Sequence, residues 1–360
     1  MMIQERIAGL RKYMAQYGLE QVLMGNPINI NYFTKMGARR SDRATFLYVT
    51  QTEAKILVND VIGYTTLEGM DVAFHTDGDN VCEAIAKHTI HDKPLAVDGE
   101  YPAKWLIPLR DFNAATDYIL GDRAINLQRA HKDAEEQQLL REASQMNDRV
   151  MKRVRTEVFR DGITEMEASR AISKMFVEEG ADMPGWCIVA FAEGSADVHH
   201  HPGNARLKEG DTVLIDMGSP RKGYHSDMTR TFFWKKVSDR QREIYDLVLR
   251  ANLAGEAAVQ PGARCCDVDA AARDLISEPG YGKYFTHRLG HYIGLELHDP
   301  GDIIGGNTDP VEPGMAFSCE PGVYLPGEFG VRVEDLVIVK ADGTAEILNH
   351  DSKELEILGL

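Results

Sequence analysis

A chain of 360 residues with 56 acidic and 40 basic side chains carries a formal net charge of −16, which sets it against nucleic acid and anionic membrane surfaces as partners. Its 43% hydrophobic and 27% charged residues are those of an ordinary globular protein, and its length leads us to expect two domains. No apolar run approaches the ~18 residues of a membrane span, and the opening "MMIQERIAGLRKYMAQYGLEQ" lacks the apolar core of a secretory leader, so the expected location is cytoplasmic.

In chain order, Ile3, Ile7, Leu10 and Met14 recur at helical spacing, a short apolar strand follows at Val22 to Met24, and Asn26-Pro27 reads as a turn. Strands are expected at "ATFLYV", "AKILV" and "PLAVD", with a helix at "NVCEAIAKHTI" before the last of them. This alternation predicts a small α/β domain over residues 1–125. From Leu127 to about Phe159 the pattern is one long helix, stopped at Asp161-Gly162. Thr164 and Glu167 then stand in capping-box spacing ahead of a second helix. After Gly185 the chain is strand-rich, with a further helix at "SDRQREIYDLVLRANLAGEAAV", so residues 126–360 are predicted to form an α+β domain without a clear short repeat. Cys82, Cys187, Cys265, Cys266 and Cys319 are odd in number and form no CxxC pair, which reads as reduced thiols.

The chemistry lies in "VLIDMGSPRKGYHSDMTRTFFW". Asp216 and Asp227 sit inside β-forming apolar runs, and a hairpin centred between Arg221 and Lys222 sets them directly opposite one another. Opposed like charges destabilise a ladder. Either one aspartate is neutral, or paired with Arg221 or Arg230, or displaced by a bulge, or a cation lies between the two. "MAFSCEPGVYLPGEFGVRVEDLVIV" repeats the arrangement, with Glu320 and Glu334 equidistant from Gly327 in a Pro-Gly-containing loop. Four buried carboxylates without counter-charge would be driven to neutrality, whereas two divalent cations would offset them. Oxygen donors with one imidazole suit Mn²⁺, Fe²⁺, Co²⁺ or Zn²⁺. In "HRLGHYIGLELHDP", Gly290 and Gly294 disfavour a helix, and on a flat strand His291 and His298 face opposite sides, one as a ligand and the other in a separate role. In "DVHHHPGN", His200 and His201 read as a polar surface loop, with His199 the better candidate.

Together "IDMG", "GYHSDMTRTF", "HRLGHYIGLELHD", "EPGVY" and "GVRVED" resemble the pita-bread metallopeptidases, in particular their aminopeptidase P and prolidase branch, and "INYFTKMG" resembles its creatinase-type amino-terminal domain. The resemblance implies a creatinase-like α/β domain followed by a pita-bread catalytic domain. It implies two divalent metal ions, Mn²⁺ foremost and Co²⁺, Zn²⁺ or Fe²⁺ as alternatives. The implied ligands are Asp216, Asp227, His291, Glu320 and Glu334, with Asp227 and Glu334 bridging, Asp216 completing one metal, and His291 and Glu320 completing the other. A hydroxide between the metals would attack the peptide carbonyl. Glu320 would exchange the proton, His298 and His199 would meet the oxyanion, and His287 and Arg332 would flank the metals.

The implied activity is hydrolysis of the Xaa-Pro bond at the amino terminus of proline-containing peptides, by an enzyme whose relatives are frequently homodimers. Prolidases commonly carry an arginine after the last histidine to hold the dipeptide carboxylate. "HDPGDIIGGN" has Asp302 there, which favours an Xaa-Pro aminopeptidase over a dipeptidase. Arg39, Arg40 and Arg43 of "GARRSDR" could reach a substrate carboxylate but read first as a solvated loop. The same frame also carries non-peptide C–N hydrolases and lyases, the alternative reading, and binding proteins that have lost ligands, against which the complete set here counts.

Overall fold

The computed structural model describes residues 2–63 and 66–360, and the chain divides into two compact units, Met1–Arg129 and Ala130–Leu360. In the first, α1 (Ile3–Gln16) buries Ile7, Leu10 and Met14 as its spacing predicts. β1 (Gln21–Met24), β2 (Thr45–Thr50), β3 (Ala54–Asn59), β4 (Asp71–His75), β5 (Leu95–Val97) and β6 (Tyr118–Leu120) form a six-stranded mixed sheet in the order β4-β3-β2-β1-β5-β6. The helices α2 (Pro27–Thr34), α3 (Val81–Ala86) and α4 (Ala103–Leu109) connect its strands. Asn26-Pro27 is a helix start rather than a plain turn. The Asn26 side chain accepts the Ile28 amide, and Pro27 occupies the first helical position, where its missing N–H has no consequence.

The single long helix expected from Leu127 to Phe159 is two, α5 (Asp122–Ala130) and α6 (Ala134–Glu157). Asp133 caps the second reciprocally with Glu136, so a fresh helix begins where the apolar spacing alone shows none. The residue 125/126 boundary, expected where the strand-helix alternation ends, falls inside α5. Thr164 and Glu167 form the expected capping box at the start of α7 (Glu165–Glu178).

The second unit repeats an architecture that the sequence hides. α6 and α7 lead into the antiparallel strands β7 (Trp186–Phe191), β8 (Thr212–Gly218) and, after the short pair β9 (Pro220–Arg221) and β10 (Tyr224–His225), β11 (Met228–Trp234). α8 (Asp239–Ala257) and α9 (Cys265–Ser277) lead likewise into β12 (Gly290–Tyr292), β13 (Asp299–Ile303) and β14 (Ala316–Cys319). The hairpin β15 (Gly322–Leu325) and β16 (Phe329–Arg332) then precedes β17 (Asp335–Val339), which pairs with β14 and with β18 (Ala345–Ile347), while β19 (Ile357–Leu358) closes the edge of β11. Each half has its own core. Met146, Val150, Ile172 and Phe176 pack on Val213, Ile215 and Met217 in one; Val248, Ala251, Val268 and Ala272 pack on Phe317 and Val337 in the other. Because successive strand residues alternate, filling the helix side with Val213, Ile215 and Met217 turns Asp216 to the opposite face.

Candidate metal centre

The β8–β11 register differs from the expected one. Lys222 and Gly223 both have positive φ, 51° and 83°, and form a two-residue turn of the kind that matches hairpin twist. That turn pairs Arg221 with Tyr224, and the register carries through to pair Asp216 with Thr229. Asp216 and Asp227 are therefore not opposed. Asp227 lies two residues before Asp216's partner, a diagonal neighbour on the same face. Continuation of the ladder sets Gly218 opposite Asp227, and a Cβ on Gly218 would lie 2.0 Å from the Ser226 carbonyl oxygen. The second pair follows the expected register. Gly322 pairs with Arg332 and Cys319 with Asp335, so Glu320 and Glu334 face each other between two ladders of common register.

These strands bring the five expected ligand residues together. His291 Nε2 lies 3.5 Å from Asp227 Oδ2 and 3.4 Å from Glu320 Oε1. One atom each from Asp227, His291 and Glu334 falls within 4.8 Å of the others. His291 Nδ1 lies 3.1 Å from the Tyr292 carbonyl, which can only accept, so the ring donates there and turns an Nε2 lone pair towards the carboxylates. Glu334 takes the Thr229 hydroxyl at 2.7 Å, and Glu320 takes that of Ser318 at 3.0 Å. Arg332, 2% exposed, reaches Asp216 Oδ2 at 2.5 Å and also donates to Thr229 Oγ1 at 3.0 Å and Tyr324 Oη at 2.8 Å. Tyr324 Oη also meets His287 Nε2 at 2.9 Å, while the other ring nitrogen of His287 donates to the Arg288 carbonyl at 2.7 Å.

Burial, with repulsion from Asp216 and Glu320, holds Asp227 well above the usual carboxylate range, and burial with repulsion from Asp227 does the same to Glu334. Burial also raises Asp216, against the pull of Arg332. Burial opposes ionisation of Glu320 too, but His291, His287 and Arg332 outweigh it and leave this carboxyl lowered. Asp216 Oδ1, Asp227 Oδ1 and Glu334 Oε1 are buried with no hydrogen-bond partner among the described residues. Orphaned carboxylate oxygens are rare in protein interiors. Two of the three, on Asp227 and Glu334, belong to residues grouped with the His291 imidazole, and such oxygens with an imidazole lone pair are the donor set of a hard or borderline divalent cation. The residues fit the group.

The accessory histidines are arranged less simply than expected. His291 and His298 do not face opposite ways: their ring centroids are 4.0 Å apart, because the chain leaves β12 after Tyr292 and bends before β13. Burial, then His291 and Arg288, depress His298 to about 4. His199 is exposed. His200 is no mere surface residue. Its Nε2 meets buried Glu165 at 2.9 Å, and Glu165 also accepts the amides of Phe191 and Gly203. Arg40 pairs with Glu100, and Arg43 with Asp77. Thr229, Ser318 and Tyr324 are the residues that sequence reasoning missed. Thr229 escaped it because the Lys222-Gly223 turn, and not the expected centre between Arg221 and Lys222, sets it opposite Asp216.

A repeated α+β unit that turns four carboxylates and one imidazole onto a common site defines a metalloenzyme of the pita-bread fold, preceded here by a creatinase-type α/β domain. The chain belongs to metallopeptidase family M24, which it matches over residues 138–341, and residues 6–129 match the Creatinase/Prolidase N-terminal domain. It is 34% identical to the probable dipeptidase PepE of Mycobacterium tuberculosis, over 96% of this chain and 94% of that one. The crystal structure of dipeptidase PepE from Mycobacterium ulcerans superposes with a TM-score of 0.92 at 32% identity, covering 99% of this chain and 98% of the other. The Xaa-Pro dipeptidase from Bacillus anthracis does so with 0.88 at 29% identity, covering 99% and 100%. The fold and enzyme class implied by the sequence motifs are thus those of the molecule.

Proposed function

We propose that this metallopeptidase hydrolyses the bond between an amino-terminal residue and a following proline, using two divalent metal ions held by Asp216, Asp227, His291, Glu320 and Glu334. The observation that carries the reading is the set of orphaned buried oxygens on Asp216, Asp227 and Glu334, two of these residues grouped with His291. The names of the relatives, dipeptidase PepE and Xaa-Pro dipeptidase, support the substrate class. When bound, such ions lower the pKa of water and polarise a carbonyl.

The chain's own groups supply the rest. Glu320, lowered and oriented by Ser318, is ionised at neutral pH and takes the proton of the attacking water, then returns it to the departing nitrogen. His298, its value depressed to about 4, is neutral at pH 7 and a hydrogen-bond donor for the developing oxyanion, and the family resemblance gives His199 the same role. Arg332 balances Asp216 and fixes Thr229, which in turn holds Glu334.

The test is chromatographic cleavage of Ala-Pro, Ala-Pro-Ala and Ala-Ala-Ala after reconstitution with Mn²⁺, Co²⁺ or Zn²⁺, with metal content counted in parallel. Xaa-Pro cleavage by protein holding two metals is expected. Two bound metals without cleavage of any peptide would instead point to a small-molecule C–N hydrolase or lyase.

A further inference from the structure

His298 reaches its place beside His291 without a helix or a strand to carry it there. Residues 294–298 are a run of bends between β12 and β13. The run is tied at its start, where the Ile293 amide donates to the Ala316 carbonyl and the Gly294 carbonyl accepts the His225 amide. Its far end, which bears His298, is held through the next residue. Asp299 accepts the Glu296 amide on Oδ1 at 3.2 Å and meets Lys132 Nζ on Oδ2 at 3.1 Å. One carboxylate thus closes the bend on itself and fastens it to a cation outside it.

That cation is set from a fixed base. Lys132 lies between α5 and α6; its amide donates to the Gly314 carbonyl at 2.9 Å, and its own carbonyl accepts the Gln137 side chain at 2.9 Å. The ion pair is sealed, with the two side chains only 1% and 4% exposed. Stability alone does not call for it, because apolar side chains of similar volume are often as stable as a buried ion pair or more so. What the pair adds is direction. Asp299 stands opposite Tyr292 in the β12–β13 ladder, on the face away from His291, and alternation turns the preceding residue, His298, to the His291 face. There the two rings pack with centroids 4.0 Å apart. Gly294 leaves room for this arrangement, since a Cβ on it would press on Asp299 Oδ2 and lie 3.1 Å from Lys132 Cε.

We infer that the buried pair Lys132–Asp299 positions His298: the two residues touch neither metal ligands nor substrate, and act by holding the bend that aims the His298 ring at the centre. The inference rests on the Xaa-Pro peptidase reading, in which His298 meets the developing oxyanion. It makes the connection between α5 and α6 a part of the catalytic apparatus, through one lysine.

The experiment uses the metal-reconstituted full chain and whichever of Ala-Pro and Ala-Pro-Ala the wild type cleaves faster. Lys132→Met combined with Asp299→Asn removes both charges at once, so no unpaired charge is left buried, and the asparagine keeps an acceptor for the Glu296 amide. Misplacement of a reacting group by about 1 Å costs up to about 100-fold, so kcat should fall about 10- to 100-fold with KM and metal content held. The same double substitution in a His298→Ala background should cost less than about twofold, because the group it misplaces is gone. A crystal structure of the variant should show the His298 ring displaced from its contact with His291. Unchanged kcat, an equal loss with and without His298, or a ring still in place would overturn the inference. Should the double variant fail to fold, Gly294→Ala, which pushes on both partners from the bend, carries the same comparison and the same expectations. A wild type that cleaves no Xaa-Pro peptide would overturn the peptidase reading instead, and the ring displacement would then decide the positioning by itself.

Discussion

Replacing Asp227 by Asn keeps the shape of the side chain and removes one of the charges that burial, Asp216 and Glu320 oppose. Without metal, the substitution relieves repulsion inside the centre, so the chelated variant should melt above the chelated wild type. With metal the order reverses. Each ion at a hundred times its Kd stabilises the folded state by about 2.7 kcal/mol, hence about 5 kcal/mol for two. In a unit the size of Ala130–Leu360, each kcal/mol moves Tm by about 2–4 °C, so saturating Mn²⁺ should raise the wild type by about 10–20 °C over the chelated protein. Asp227 belongs to the tightest donor group, with His291 and Glu334, and its amide is a poor replacement ligand. Most of the increment should disappear in Asp227→Asn. Differential scanning calorimetry on both proteins, with chelator and with Mn²⁺, measures all four quantities. A variant that melts below the wild type without metal, or that keeps the full metal increment, would refute the reasoning.

Thr229→Val is nearly isosteric but removes the hydroxyl shared by Glu334 and Arg332; metal affinity should fall about 10- to 100-fold by titration against a fluorescent chelator, with circular dichroism unchanged. Gly218→Ala places a Cβ against the Ser226 carbonyl opposite Asp227, so chemical denaturation should show a loss of about 1–3 kcal/mol together with impaired metal binding. Asp98, 1% exposed, accepts the Gly25 and Asn26 amides and the Asn29 side chain on one oxygen, and burial raises it from 3.8 to about 6. The raised folded-state value means that ionising it disfavours the folded state, a penalty absent below pH 4 and fully developed above pH 6. Asp98→Asn should therefore gain about 3 kcal/mol relative to wild type between pH 4 and pH 8, measured by urea unfolding, and a pH-independent difference would show that Asp98 is not the titrating group.

How much of this was legible follows from which forces act locally. The box at Thr164 and Glu167 is a contact within one turn and can be read from spacing; the equivalent at Asp133 and Glu136 was obscured because apolar spacing continues past it on both sides. The carboxylates were visible because charge inside a β-forming run conflicts with burial. Their register was harder, since a single residue's shift in the turn centre moves every pairing. Lys222-Gly223 decides that register, and the φ of Lys222, a non-glycine residue at 51°, has no strong sequence signal. The Gly327 loop, itself at φ 75°, lies at the true centre of its hairpin, so Glu320 and Glu334 were placed correctly. β4 and β6 went unread because strands at the edges of the sheet expose residues such as Phe74 and Leu120 and lack a buried pattern. The His291–His298 contact depends on a bend between strands, which alternation does not reveal.

The two hairpins give unequal halves to the centre, and that inequality has a consequence for metal loading. Glu320 and Glu334 face one another across a common register, and Glu334 joins Asp227 and His291 in a group whose donor atoms already lie within 4.8 Å. Asp216 is offset diagonally by the Lys222-Gly223 turn, and one of its oxygens is bound at 2.5 Å by the guanidinium of Arg332, which is itself fixed by Thr229 and Tyr324. An ion entering the first group meets preformed donors and relieves the repulsion between Asp227 and Glu334. An ion that needs Asp216 must share that carboxylate with a buried cation of like sign. The two equivalents should therefore bind in separate steps, the second weaker, and Arg332→Met should narrow the gap by removing the competing charge. Calorimetric titration of the chelated protein with Mn²⁺ distinguishes the cases: two resolved steps are expected, and two equivalents bound with equal affinity would show that Arg332 imposes no such asymmetry.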